Sequence, residues 1–294
     1  MARFQTIRVL SLFFVLFFFN TNLFSQCSDA GVCSVGGHTD GTHSNSISLT
    51  YVLGGSGKPE SVTFHTVNLS GGFSLGGGYQ VDLNIPFSTQ AGESFSTSGL
   101  GDLSLIASKQ HEVSKNISFL FSLGFKLPTG AVHLKNDAPQ IYQSGLGTYD
   151  ILAGAGFIYR QFDFLIGFQI PFGRSENKDT RLQRAPDLMI RGGYSYLFGE
   201  SAVKVELIGI KRLGLSSRLY IPNPWVSTIA GTESFVDVDG SDQTQLNIGL
   251  GFNTKISNRV KVDVYGAMPL LKRDNNIDGL KRAFTLSVGV GYLF

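Results

Sequence analysis

The last strand-length stretch of the chain alternates strictly. Phe284, Leu286, Val288, Val290, Tyr292 and Phe294 are apolar, while Ala283, Thr285, Ser287, Gly289 and Gly291 between them are small or polar. Successive side chains of a β-strand point to opposite faces, so a period of two predicts a strand with one apolar face. The same pattern recurs upstream. Ile117, Phe119, Phe121, Leu123, Phe125 and Leu127 form one row; Phe162, Phe164, Ile166, Phe168 and Ile170 form another; Leu246, Ile248, Leu250 and Phe252 form a third. Twelve such segments can be read: 47–54, 62–75, 79–88, 100–111, 116–127, 148–160, 162–172, 186–198, 202–212, 244–256, 260–270 and 283–294. Most have the length of a tilted membrane strand, about 9–11 residues or slightly more.

The connections sharpen this reading, because they alternate in length. Short ones are 76–78, 112–116, 160–161, 199–201 and 257–259. Long ones are 89–99, 128–147, 173–185, 213–243 and 271–282, with 55–61 intermediate. A soluble sandwich has no reason to keep that parity. A bacterial outer-membrane barrel does, with short periplasmic turns, longer extracellular loops and an even strand count. The predicted fold is therefore all-β: a transmembrane antiparallel β-barrel of about 12 strands. Apolar rows face lipid, and small or polar rows face the lumen.

Composition agrees. Charged residues make up only 16% of the chain, against about 25% in a typical soluble domain, and there are 36 Gly and 24 Phe. No apolar run is long enough for a helical span of about 20 residues. The net charge of +2 is accounted for by Arg3 and Arg8, so nothing points to a polyanionic partner such as nucleic acid. Those two arginines precede the apolar stretch Val9–Phe19 and a polar Asn20-Thr21-Asn22, the layout of a secretory signal peptide over 1–25. Residues 26–45 are expected to be a periplasmic or lumen-tucked segment, and 46–294 the barrel. Within the segment, Cys27 and Cys33 are the only cysteines. In an oxidising compartment they most simply form one disulfide. Two other readings stay open, a metal site shared with His38 and His43, and lipidation of Cys27.

Part of the chain resembles a known family. Ser98-Gly99-Leu100-Gly101-Asp102-Leu103, Leu123-Gly124-Phe125-Lys126-Leu127-Pro128-Thr129-Gly130 and Ser144-Gly145-Leu146-Gly147-Thr148-Tyr149-Asp150 look like the outer-membrane barrels grouped as the MetA-pathway of phenol degradation family. Gln110-His111 departs from the aromatic strand end expected there. The resemblance implies a membrane channel for uptake or export of small, often hydrophobic or aromatic, compounds.

Repeated strand ends place polar groups inside. Asn84-Ile85-Pro86, Lys126-Leu127-Pro128 and Gln169-Ile170-Pro171 close three upward strands; Asp102-Leu103, Asp150-Ile151 and Asp187-Leu188 open three downward ones. Proline cannot donate to a sheet ladder, so it marks a strand end. Parity then lines the outer mouth with Asn84, Asp102, Lys126, Asp150, Gln169 and Asp187, and puts Arg191, Lys204, Glu206, Lys261 and Asp263 in the lumen. These groups either satisfy one another at the rim or form a constriction that selects solutes. Loop 213–243, with the only Trp at position 225, either folds inward or caps the rim.

A channel for small solutes is thus the leading function. A structural or adhesive surface barrel is the alternative. A lipid hydrolase is the third reading, and it would need a His–Ser pair facing lipid near the outer leaflet, for which His43 and His65 are poorly placed. No catalytic residue, metal or cofactor is expected. The expected partners are outer-membrane lipid, small-molecule solutes and the barrel-assembly machinery. That machinery would be engaged through the C-terminal strand ending in Phe294.

Overall fold

The computed structural model describes residues 45–294 apart from 59, 136–137, 179, 221–233, 276 and 279–281. The expected signal peptide, the Cys27/Cys33 segment and Trp225 lie outside the described residues. Among the described residues there are fifteen strands: β1 (Ser46–Gly55), β2 (Thr63–Gly76), β3 (Tyr79–Ala91), β4 (Ser96–Leu100), β5 (Leu103–Ser114), β6 (Ile117–Leu127), β7 (Tyr149–Tyr159), β8 (Phe162–Phe172), β9 (Asp187–Phe198), β10 (Ser201–Arg212), β11 (Ser217–Leu219), β12 (Phe235–Asp237), β13 (Thr244–Lys255), β14 (Val260–Leu271) and β15 (Phe284–Leu293). Twelve of them close into an antiparallel barrel. Each is hydrogen-bonded to its neighbour in sequence, and β1 pairs with β15 from Ser46↔Leu293 to Gly55↔Phe284. Twelve strands at ~4.7 Å spacing and ~40° tilt give a backbone diameter of about 24 Å.

The three short strands belong to the loops. β4 extends the fourth wall strand past a break at Gly101-Asp102 and pairs with the upper part of β3. β11 and β12 form a hairpin within the long 213–243 connection.

Parity places the rows as the alternation predicts. Leu123 on β6 is 55% exposed, and Leu286, Val288 and Val290 on β15 are likewise exposed on the outer face. Tyr and Phe crowd the short-turn end of that face. Phe119 packs on Phe157, Phe162 on Tyr194, and Tyr196 on Phe198. This is the aromatic girdle of a membrane barrel. The turns there are tight. At Gly76-Gly77-Gly78 all three φ values are positive, a conformation glycine adopts without cost. A Cβ on Gly78 would lie 2.3 Å from the carbonyl oxygen of Gln110.

At the opposite end the long loops fold together into a cap. Val62, Phe64, Ala138 and Tyr142 form a small apolar core, with Phe95 and Ile141 against it. It draws the β6–β7 connection, including the 3-10 turn Gln140–Tyr142, over the starts of β2 and β4. Asn177 Nδ2 donates to Val132 O at 2.7 Å, Gln183 and Ser217 exchange backbone hydrogen bonds, and Asn275 Nδ2 donates to Asp239 O at 2.8 Å. The cap is therefore continuous from loop to loop.

The inner face holds one departure from the expected pattern. Leu120, Leu152, Leu165, Met189, Ile208 and Ile210 point inward yet are buried. Leu165, Met189, Ile208 and Ile210 form a small core on β8–β10, and Leu152 packs on Ile106 of β5, so that β6–β10 is a packed wall where small or polar residues were expected.

The cap should lie outside the cell. An epitope tag at Lys135, exposed in the β6–β7 connection, is expected to bind antibody on intact cells, and a tag at Gly77 only after permeabilisation. The opposite result would invert the orientation.

Candidate functional site: the charged neck of the lumen

Just beneath the cap, inward side chains of β6–β10 meet groups from the loops. Cross-strand register sets the first contacts. Lys126 lies opposite Asp150, Gln169 opposite Asp187, and Asp187 opposite Arg212. Lys126 Nζ sits 3.3 Å from Asp102 and 3.5 Å from Asp150. Asp150 also accepts from Gln169, Arg184 and, at 2.7 Å, Thr148. Further round the wall, Arg212 binds Asp187 at 3.0 Å and Asp278 at 2.8 Å, and Arg273 reaches Asp187 at 3.1 Å.

The signs alternate along both runs: Asp102, Lys126, Asp150, Arg184, then Asp278, Arg212, Asp187, Arg273. Four acids meet four bases. Lys126 is 3% exposed and both Asp150 and Arg212 are 1% exposed, so these ions are removed from bulk water. Two unit charges about 4 Å apart attract by roughly 4 kcal/mol at an effective dielectric of 20. That attraction offsets desolvation only while each ion keeps its partners. Asp278 shows the balance outside the membrane-spanning strands. Burial alone would raise its pKa, but the neighbouring Arg212, Arg184 and Arg273 hold it at about 2.

Asp102 has a second task. Its two carboxylate oxygens accept from the backbone N–H groups of Gly130 and Leu146 at 3.1 and 2.9 Å. Thr129 Oγ1 donates to Gly101 O, Ser144 Oγ to Leu100 O, and the Gly101 N–H to Pro86 O. Gly130 and Gly145 touch so closely that a Cβ on Gly145 would lie 2.5 Å from Gly130 O. The three glycine-bearing segments that carry the family resemblance thus converge in one knot, which fixes both ends of the β6–β7 connection.

The mouth residues expected from the repeats are only partly brought together. Asp102, Lys126, Asp150 and Gln169 form one contiguous cluster, and Asp187 anchors the adjoining one. Asn84 stands apart on β3, two strands from Lys126, accepting from Ser70 Oγ at 2.8 Å. Arg191 lies deeper, 3.8 Å from Asp163, in a separate group. There Lys204 bridges Asp163 at 2.9 Å and Glu206 at 3.5 Å, and Tyr265 donates to Glu206 at 2.8 Å. Sequence reasoning missed Arg184, Arg212, Arg273 and Asp278. Arg212 shares the parity of Lys204 and Glu206, so its inward direction was readable; the other three sit in loops, which carry no period.

His65 faces lipid, and its Nδ1 lies 2.6 Å from the Tyr51 hydroxyl. That pairing supplies no serine nucleophile. Among the described residues, no group of three His, Cys, Asp or Glu side chains is arranged to hold a metal.

No family model and no curated protein matches the chain. Solved structures do. The outer membrane channel from Pseudomonas putida F1 superposes with a TM-score of 0.61 at 14% identity, covering 86% of this chain and 96% of that one. A KdgM porin superposes with a TM-score of 0.47 at 12% identity, covering 85% and 99%. At such identity the likeness is one of fold: this chain has the fold of an outer-membrane β-barrel.

Two outcomes follow. Arg212→Ala leaves Asp187 and Asp278 without their shared cation, so it should destabilise the folded barrel by about 3–5 kcal/mol; the midpoint of urea unfolding in detergent measures this. The second concerns pH. A carboxyl whose folded pKa lies below its unfolded value, about 3.9, contributes fully above that value and loses its contribution as pH falls toward the folded one. Asp278 should therefore hold the cap unchanged from pH 8 to about 5 and release it between roughly pH 4 and 2. Protease sensitivity of the loops across that range reports it, and loosening already at pH 6 would contradict it.

Proposed function

We propose that this protein is an outer-membrane channel for small solutes, exported by a cleaved leader over residues 1–25 and inserted by the barrel-assembly machinery. The observation that carries the proposal is the closed barrel whose inner face bears polar and ionised side chains from one end to the other. Polar and ionised groups inside a lipid-spanning cylinder are kept where they meet water, a solute or one another, and the half-buried hydroxyls and amides of β1–β3 are open to the first two. The P. putida channel that shares the fold supports the same reading.

The lumen is electrically even-handed. Its bases are offset by acids at the neck and in the deeper group around Lys204, which argues for weak discrimination between anions and cations. The family resemblance adds small hydrophobic or aromatic compounds to the candidate solutes. The inward apolar side chains that would greet them, Leu152 and Met189 among them, are buried within the packed wall.

The interlocked cap favours a second reading, a closed barrel that displays its loops. The two differ in conductance. In planar bilayers the wild-type barrel should give small conductance steps with a reversal potential near zero in a salt gradient. Asp102→Ala frees the N–H groups of Gly130 and Leu146 and should raise open time or conductance several-fold. Silence from both proteins would leave the display reading standing.

The place of the last strand in the ring supports assembly through it. Phe294 is exposed on the outer face, and its N–H donates to Asn45 O at 3.0 Å beside the β1–β15 seam. Truncating Leu293 and Phe294 should cut the amount of heat-modifiable, membrane-inserted protein at least several-fold. Normal insertion would remove the strand from that role.

A further inference from the structure

The two sides of the lumen differ. On β6–β10 the inward side chains of the cap-side half are buried almost completely: Lys126, Leu152, Gln169, Met189 and Arg212. On β1, the middle of β2 and the short-turn half of β3 they stay partly accessible, whereas on β15 Ser287 alone does so among Thr285, Ser287, Gly289 and Gly291. There the inner face is rich in hydroxyls and amides, with Val52 and Pro86 among them. Ser48 and Thr50 of β1, Asn68 and Ser70 of β2, Asn84 of β3 and Ser287 of β15 are all half-buried and inward-facing. Charged side chains on this side lie at its two ends: Asp82 and the neighbouring Lys261 and Asp263 toward the short turns, and buried Arg282 over the Phe64 ring at the cap. Toward the cap the accessible strip ends under the buried side chains of Phe64, Thr66, Ser88 and Tyr142.

We infer that solutes pass along this one wall, off the barrel axis, and that the track admits small uncharged molecules rich in hydroxyl groups. The inference rests on the channel reading above. Hydroxyl and amide side chains both donate and accept hydrogen bonds. A polyhydroxylated solute exchanging water for them keeps its hydrogen bonds and loses little free energy on entry. An ion in the middle of the track finds no opposite charge on this wall to replace its hydration. An apolar solute gains less, because the accessible apolar side chains on this track are few, Val52 and Pro86, and Phe64 is buried at its cap-side end.

Register supports a continuous strip. Thr50 lies opposite both Asn68 and Gly289, and Ser70 opposite both Ser48 and Asn84. Neighbours about 5 Å apart hand a solute from one hydrogen-bonding group to the next. Gly289 leaves room for Thr50 to lie across it: a Cβ there would come within 2.8 Å of Thr50 Oγ1.

Two measurements on the full barrel in proteoliposomes test the track. In a Cys27→Ser/Cys33→Ser background, single cysteines at Thr50 and Ser70 should react with N-ethylmaleimide at least tenfold faster than cysteines at Ser122 and Met189 on the packed side. Liposome swelling should be several-fold faster in glucose than in gluconate, slowed several-fold by Ser70→Trp, and unchanged by Leu123→Trp on the lipid face. Uniform labelling, or swelling indifferent to Ser70→Trp, would overturn the track while leaving the channel intact. Gluconate entering as fast as glucose would overturn the solute class. Should Ser70→Trp fail to insert, the labelling comparison decides alone. A barrel showing neither swelling in any solute nor conductance would overturn the channel reading, and the track with it.

Discussion

Everything in this molecule depends on the β1–β15 ladder. A sheet in lipid cannot leave an edge, because each unpaired N–H or C=O in hydrocarbon costs several kcal/mol. Pairing the first strand with the last over ten residues removes the edge and turns a meander into a ring. Closure then dictates the rest. It divides every strand into a lipid-facing and a lumen-facing row, brings both ends of the barrel to the short-turn rim, and sends all long connections to the other rim.

At that other rim the loops face a problem the wall does not. They are too polar to enter lipid and too long to remain separate. Two devices hold them. One is the apolar cluster around Phe64 and Tyr142; the other is the alternating run of acids and bases at the neck. The second matters more for position. A greasy cluster tolerates sliding, whereas Asp102 fixes two particular N–H groups and Arg212 two particular carboxylates. Directional contacts with buried charges give the cap one arrangement over the lumen.

The barrel was legible in the sequence because its signals are periodic. Alternation located Phe284–Leu293 and its eleven companions, and loop parity gave their direction. Boundaries slipped by one to three residues, as at Gly76, Ala91 and Ser114. The mouth was only half legible. Parity told which way Lys126, Asp150 and Asp187 point, but not that Arg184, Arg273 and Asp278 would arrive from the loops to meet them. Those contacts join residues far apart in sequence and leave no local trace. The packed wall was invisible for a related reason. Leu152 and Met189 sit in rows where parity gives the facing direction, and whether an inward leucine meets water or a neighbour depends on the whole ring.

The strict alternation of charge at the neck has a consequence for how such a protein can change over time. A member that mutates alone strands a like-charged pair in a place water barely reaches. Each run of four is therefore bound to drift as a block, since swapping the signs of Lys126 and Asp150 alone would set like charges beside Asp102 and Arg184. The lipid-facing leucines and phenylalanines carry no such obligation, since any apolar neighbour serves them equally well. Among kindred barrels the neck would behave as a slow, correlated block inside a fast-changing shell.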